Sequence, residues 1–276
     1  MSKRAILAIV PDVRQSRILA RVIPSWQHYA RRHDLEIITV ERSITRGRHP
    51  YWDRWLTIQD GVPEVAGIEE LLLLDNDIFI ATNAPNIFEQ CDPSKINVVE
   101  ESAQAPWNRR KIPDYYRTFH VEPDCRLKDP TKVFNFGVCV LRRQNGYLFQ
   151  GLHQKWLNSI RPRFTDPELK QRDIFFRLEA DGPFLSYELQ TQMMINTLPG
   201  EFNFFLPPWL KRTRVHRLPF LVQCKLAQKL TGKIPKSVLC MLTNHAHLTI
   251  RHVAGQCYFL HVAGSKSPLW LLPDAE

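Results

Sequence analysis

The stretch EELLLLDNDIFIAT, Glu69 to Thr82, places two carboxylates one residue apart at the end of the most apolar run in the chain. Four consecutive leucines suit a strand buried on both faces. Successive strand side chains point to opposite faces, so Asp75 and Asp77 are expected to share a face while Asn76 points away. In an open α/β sheet the crevice beyond the carboxyl ends of the strands is where ligands bind. Two anions this close repel, which raises one pKa unless a cation joins them. Hard oxygen donors suit Mg²⁺ or Mn²⁺, which bridge carboxylates and substrate phosphates. Asp-Asn-Asp is also good turn chemistry, and the triplet alone leaves both readings open.

Working outward, RAILAIV (4–10) ends at Pro11 and reads as a first strand. Ser16 to His33 repeats apolar residues at helical spacing, and LEIITVE (35–41) reads as a second strand. Tyr51 to Val65 is expected to form a helix with Trp52, Trp55, Leu56 and Ile58 inward, leading into the leucine strand. This alternation predicts a doubly wound α/β sheet with flanking helices. Beyond it, APNIFEQ (84–90) reads as a short helix and SKINVVEE (94–101) as a strand. Pro106 to Pro130 reads as a long loop, KVFNFGVCVLRR (132–143) as a strand and NGYLFQGLHQKWLNSI (145–160) as a helix. SYELQTQMMINTL (186–198) is expected to be one helix, because Leu185, Leu189, Met193 and Asn196 recur every three or four residues.

With 276 residues, 44% of them apolar and 11% aromatic, the chain can bury a substantial core, which excludes a disordered protein. The six cysteines are scattered without a C-x-x-C pair, a pattern of reduced thiols in a cytosolic protein. The apolar run Ala5–Val10 is too short for a signal-peptide core or a membrane span. The expectation is therefore a soluble protein, cytoplasmic, or at most one lying on a membrane surface. Charge is unevenly placed: Phe202 to Pro273 holds ten Lys/Arg and no Asp or Glu, whereas the first 201 residues hold 27 basic and 26 acidic. Such a segment fits either a solvated face or an anionic partner.

Near the end, FLHVAGSKSPLW (259–270) offers His261 as a ligand for the same ion, Gly264 for close backbone approach and Lys266 as a phosphate-seeking charge. Together these pieces resemble a family. LLLLDNDIFI looks like the D-x-D strand of GT-A-fold glycosyltransferases. HVAGSKSPLW resembles the H-x-x-G-x-x-K-P-W signature of family 8 members, the glycogenin and lipopolysaccharide galactosyl- and glucosyltransferase group, with extra residues between Lys266 and Trp270. FNFGVCVL and LPGEFN resemble that family's F-N-x-G-V strand and its L-P…N element, in the same order along the chain.

The resemblance implies a GT-A fold and a retaining hexosyltransferase. Asp75, Asp77 and His261 would hold Mn²⁺ or Mg²⁺ against the phosphates of a UDP-sugar. Lys266 and the amide of Gly264 would bind the diphosphate. Asn135 and Gly137 would border the sugar and acceptor pocket, Val10 and Asp12 would grip uracil and ribose, and Asn76 and Arg54 would complete the donor site. The family's D-Q-x-x-L-N places Gln192 and Asn196 in this sequence but meets Thr191 where it has Asp. Glu188, one helical turn earlier, either supplies that carboxylate or merely caps its helix. Gln192 and Glu188 are the only candidates for a covalent nucleophile, so front-face attack with the diphosphate as base is expected. Residues 1–204 are expected to form the nucleotide-sugar and catalytic core, with 205–276 as a basic segment completing the site. That segment, with Trp209, Lys211, Arg212, Arg214, Arg217, Lys225 and Lys229, could lie on an anionic membrane or engage a glycolipid acceptor. Trp107, Tyr115 and Tyr116 are expected to choose the acceptor by stacking on sugar. The rival readings are a metal-dependent nucleic-acid enzyme, a zinc protein built on His245, His247, His252 and His261, and a catalytically idle GT-A module.

Overall fold

A computed structural model describes residues 3–59, 62–104, 112–119, 127, 129–165, 167, 181–205 and 257–261. The first unit follows the sequence closely: β1 (Arg4–Ile9), α1 (Val13–His33) and β2 (Glu36–Val40). Helix α1 starts three residues before Ser16 because Asp12 caps it, its side chain accepting from the Gln15 amide at 2.7 Å. It ends where Asp34 turns left-handed at φ 53°.

The expected helix over 51–65 is instead a single turn, α2 (Asp53–Leu56), flanked by 3₁₀ turns at Pro50–Trp52 and Pro63–Val65. Pro63 lacks the amide a continuing helix needs and holds Val62 extended, at φ −90° and ψ 106°. The four residues expected inward, Trp52, Trp55, Leu56 and Ile58, are all buried. β3 (Glu70–Leu74) then turns at Asp75-Asn76-Asp77 into β4 (Ile78–Ile80), so the triplet is a turn between two strands and not the end of one. β5 (Ile96–Glu100) and the one-turn α3 (Glu101–Gln104) follow. The described part of the expected 106–130 loop holds a helix, α4 (Ile112–Phe119), which buries Tyr115 and Tyr116 in the core and so removes them from acceptor binding. Next come β6 (Phe134–Arg142) and α5 (Gly146–Ser159).

The expected helix 186–198 divides. Helix α6 (Asp181–Thr191) ends at Met193, left-handed at φ 57°, and β7 (Ile195–Leu198) leaves it as a strand. A short apolar run fits either periodicity, and here the open edge of β5 takes it parallel, pairing Ile96 with Ile195. Two short strands complete the described chain, β8 (Phe204–Phe205) and β9 (Phe259–His261).

The main sheet has the order β2-β1-β3-β6-β5-β7, and β6 alone runs antiparallel to its neighbours. This is the expected mixed α/β architecture, a sheet with helices on both faces. A second sheet, β4-β9-β8, lies on the α1 side. Leu71 and Leu73 face the α2, α5 and α6 layer, while Leu72 and Leu74 face α1 and the small sheet, which is why four leucines run together. Among the described residues no helix is long and apolar enough to cross a membrane. The basic segment from Trp209 to Lys229, Trp107, the His245, His247 and His252 group, Gly264, Lys266 and Trp270 all lie outside the described residues.

Candidate metal centre

Three elements fasten the Asp75–Asp77 turn. The Asp75 amide continues the β3–β6 ladder by donating to Gly137 O at 2.8 Å. Asn76, 8% exposed, donates from Nδ2 to Ile9 O at 2.7 Å and to Gln15 Oε1 at 3.0 Å, tying the turn to the end of β1. Its Oδ1 is buried without a partner among the described residues. Trp26 of α1 donates its indole N–H to Ile78 O at 2.7 Å, immediately beyond the turn. The two aspartates are therefore on one side because a braced turn directs them, not because a strand alternates.

β9 brings the third group. Pairing of Ile78 with His261 sets the imidazole beside the turn, with Nε2 at 3.3 Å from Asp77 Oδ1 and 3.7 Å from Asp75 Oδ2. One ligand atom from each of Asp75, Asp77 and His261 lies within 4.8 Å of the others. Burial works against a charged His261 ring, but Asp77 and then Asp75 outweigh it and hold its pKa above the usual value. A proton or a cation is what such a cluster attracts, and two carboxylate oxygens with one imidazole nitrogen suit Mn²⁺ or Mg²⁺.

Room for this cluster comes from β6. Its register with β5 jumps from Val98↔Cys139 to Val99↔Asn135, a bulge over Phe136–Val138. Gly137 lies in it, and a Cβ there would come within 2.6 Å of His261 Cε1 and 2.8 Å of both Asp75 Oδ2 and Asn135 Oδ1. Only glycine leaves that space. The bulge also frees Phe136 O, which accepts from Arg54 Nη1 at 2.9 Å. Arg54 then reaches Asp75 Oδ1 at 2.8 Å and stands 4.0 Å from Asp181 Oδ2. Burial opposes the guanidinium charge, yet Asp75 and Asp181 more than compensate.

The expected residues divide into two groups. Asp75, Asn76, Asp77, Arg54, Asn135, Gly137 and His261 meet here, and Val10 and Asp12 lie at the same carboxyl edge. Val10 is buried and donates its amide to Val40 O at 2.9 Å, and Asp12 is occupied in part as the α1 cap. Gln192 and Glu188 are not brought to the cluster. Gln192 is exposed in the turn before β7, whose start pairs with the start of β5, at the opposite edge of the sheet. Glu188 is buried against Lys155 Nζ at 2.7 Å, about 10 Å along α6 from its first residue at the helical rise.

Two residues emerge that sequence reasoning missed. Asp181, at the start of α6, accepts from Trp55 Nε1 at 2.5 Å and sits beside Arg54; burial pushes its carboxyl up, against the pull of Arg54 and Trp55. Nothing in ADGPF beyond a helix-start pattern marked it. Asn203, wholly buried, lies 3.1 Å from His261 Nδ1 through Oδ1. It is the final residue of LPGEFN, a stretch noted for its likeness but given no role.

No protein-family model matches the chain, and no curated protein matches it. Two solved structures are similar to it. The crystal structure of a glycosyltransferase involved in the glycosylation of the major capsid of PBCV-1 is 12% identical, with a TM-score of 0.49 over 96% of this chain and 95% of that one. The apo-form glycosyltransferase GlyE of Streptococcus pneumoniae TIGR4 is 12% identical, with a TM-score of 0.42 over 97% of this chain and 56% of that one. At that identity both are likenesses of chain path.

Proposed function

We propose that the chain is a metal-dependent glycosyltransferase that moves a hexose from a UDP-sugar to a glycan or glycolipid acceptor, with retention. The observation that carries this reading is the convergence of Asp75, Asp77 and His261 at the carboxyl edge of the sheet. Those three residues would hold Mn²⁺ or Mg²⁺, which supplies positive charge for the departing diphosphate. Val10, Asp12 and Asn76 would line the nucleoside side of the pocket, and Asn135 and Gly137 the sugar side. Arg54, fixed between Asp75 and Asp181, offers its guanidinium to a phosphate or a sugar hydroxyl. Gly264 and Lys266 would bind the diphosphate, and residues 205–276 would complete the site on the 1–204 core. A cytoplasmic location, with the basic segment against an anionic membrane, belongs to the same proposal.

Front-face transfer fits the residues better than double displacement, because neither Gln192 nor Glu188 reaches the carboxylate pair. The bond between the anomeric carbon and the diphosphate oxygen breaks, its electron pair staying with the diphosphate. The acceptor oxygen bonds to the anomeric carbon, and its proton passes to a phosphate oxygen. Asp181 and Arg54 would orient the sugar while charge develops on its ring.

A thermal-shift titration tests the reading. UDP at a hundred times its dissociation constant should raise the melting temperature by about 5–10 °C in the presence of Mn²⁺. Without Mn²⁺, or in Asp75→Asn or His261→Gln, the rise should largely vanish. A wild-type protein that no uridine diphosphate stabilises with Mn²⁺ present sinks the proposal.

A further inference from the structure

A buried chain of hydrogen bonds runs from the proposed metal ligand His261 into the protein, and its polarity can be read from one end. The Gly137 amide is 2.9 Å from Asn135 Oδ1, and a backbone N–H can only donate, so the atom facing it is the carbonyl oxygen. The other amide arm of Asn135, Nδ2, then donates to the Glu101 carboxylate at 3.3 Å, which can only accept while ionised. Asn135 Oδ1 has a second neighbour, Asn203, at 2.8 Å. Because Oδ1 accepts, the facing atom of Asn203 is its Nδ2. Asn203 therefore turns its own Oδ1 toward His261, 3.1 Å from Nδ1, and that ring nitrogen must carry the hydrogen. Nε2 faces Asp75 and Asp77, where it carries a proton until a cation takes that proton's place on the nitrogen.

Reversing any link would set two donors or two acceptors face to face. Asn203 has no solvent exposure to relieve such a clash, and its own backbone carbonyl is pinned by Gln104 Nε2 at 2.7 Å. The same glycine that opens space for the ring thus also fixes which ring nitrogen would keep its hydrogen when a cation binds.

We infer that Asn203, backed by Asn135 and Glu101, is a positioning residue that holds His261 as the Nδ1–H form with Nε2 aimed at a divalent cation. The inference rests on the divalent-cation reading of Asp75, Asp77 and His261. Ligating histidines are oriented by the partner of their other nitrogen, and loss of that partner weakens metal binding by about 10–100-fold.

The test is a Mn²⁺ titration, reading free ion by electron paramagnetic resonance, on wild type, Asn203→Leu and Asn203→Asp. Wild type should bind. Asn203→Leu removes the acceptor at similar size and should lose about 10–100-fold in affinity. Asn203→Asp keeps an acceptor for Nδ1 while setting a second oxygen against Asn135 Oδ1. It should therefore melt lower than wild type yet keep most of the Mn²⁺ affinity, which a merely structural role for Asn203 does not predict. A folded Asn203→Leu that binds as wild type overturns the inference, as do two variants equally weakened. Wild type with no Mn²⁺ affinity instead overturns the cation reading, and the inference with it. Magnesium-loaded wild type provides a check independent of any Asn203 variant: long-range ¹H–¹⁵N spectra should place the His261 proton on Nδ1. A proton on Nε2 overturns the assignment.

Discussion

The two faces of the main sheet each bury large aromatic side chains, but they handle polar atoms differently. On the α1 face Trp26 and Tyr29 are each tied to the backbone they cover. Trp26 donates to Ile78 O, and the Tyr29 hydroxyl donates to Pro85 O at 3.0 Å while accepting from the Ile87 amide at 2.8 Å. Ser25 Oγ beside them accepts from the Ile80 amide at 3.1 Å. On the α2–α5 face, Trp52 packs edge and face against His153, Trp156 and Phe184, and its indole N–H has no partner among the described residues. Asp53 Oδ2 and His153 Nε2 are likewise buried and unpartnered there. The α1-face bonds fix the backbone at the Asp75–Asp77 turn and beside β9, although Asn76 Oδ1 has no partner among the described residues. The opposite layer has directional contacts of its own, Trp55 on Asp181 and Arg54 on Phe136 O and Asp75, but around Trp52 it is held by shape and area.

The most severe way to break this comparison is at the point where the two faces meet. Gly137→Ala puts a methyl within 2.8 Å of His261, Asp75 and Asn135. Overpacking of that kind destabilises by about 1–3 kcal/mol. Mn²⁺ binding should fall more than the melt implies, which calorimetric titration beside thermal unfolding will show. A matched pair of substitutions sharpens the contrast. Trp26 and Trp52 are both fully buried, so Trp26→Phe and Trp52→Phe make similar cavities. Only the first orphans a buried carbonyl, so it should cost about 1–3 kcal/mol more in urea unfolding. Equal losses would remove the distinction between the faces.

The smallest effect concerns pH. Burial, and then the neighbouring His49, lowers the His153 pKa from 6.5 to about 4, and burial lowers that of His49 too. The folded protein thus resists protons that the unfolded chain accepts below pH 6.5, so stability should fall as pH drops from 6.5 toward about 4. Partial exposure of both residues weakens the effect. His153→Phe should flatten the dependence of melting temperature on pH in that window, and an unchanged slope would assign the acid sensitivity elsewhere.

Much of the sheet was legible from apolar runs bounded by breakers. RAILAIV, LEIITVE, the four leucines and FNFGVCVL each became strands within a residue or two of expectation. The failures have local causes. Trp52, Trp55, Leu56 and Ile58 are buried as expected, but Pro63 cannot continue a helix, so burial was legible and the element was not. Met193 and Asn196 carry helical spacing, yet Met193 turns left-handed and an open strand edge claims Asn196. At the site the acids and the imidazole were legible because their chemistry is unusual in an apolar context. Asp181 and Asn203 were not, since neither residue type is rare and each matters only through neighbours far away in sequence. Gln192 and Glu188 were placed from the resemblance to the D-Q-x-x-L-N pattern, and neither is brought to the Asp75–Asp77–His261 cluster.

β9 has a consequence for how the pocket comes to exist. It sits between β4 and β8, with His261 registered against Ile78 on one flank and Phe205 on the other. During synthesis both aspartates emerge long before the imidazole does, and the large sheet needs nothing from residues 257–261 to pair its six strands. Insertion of that late strand finishes the cluster, so cation capture would close a loop from Asp75 to His261 and lock the small sheet against the large one.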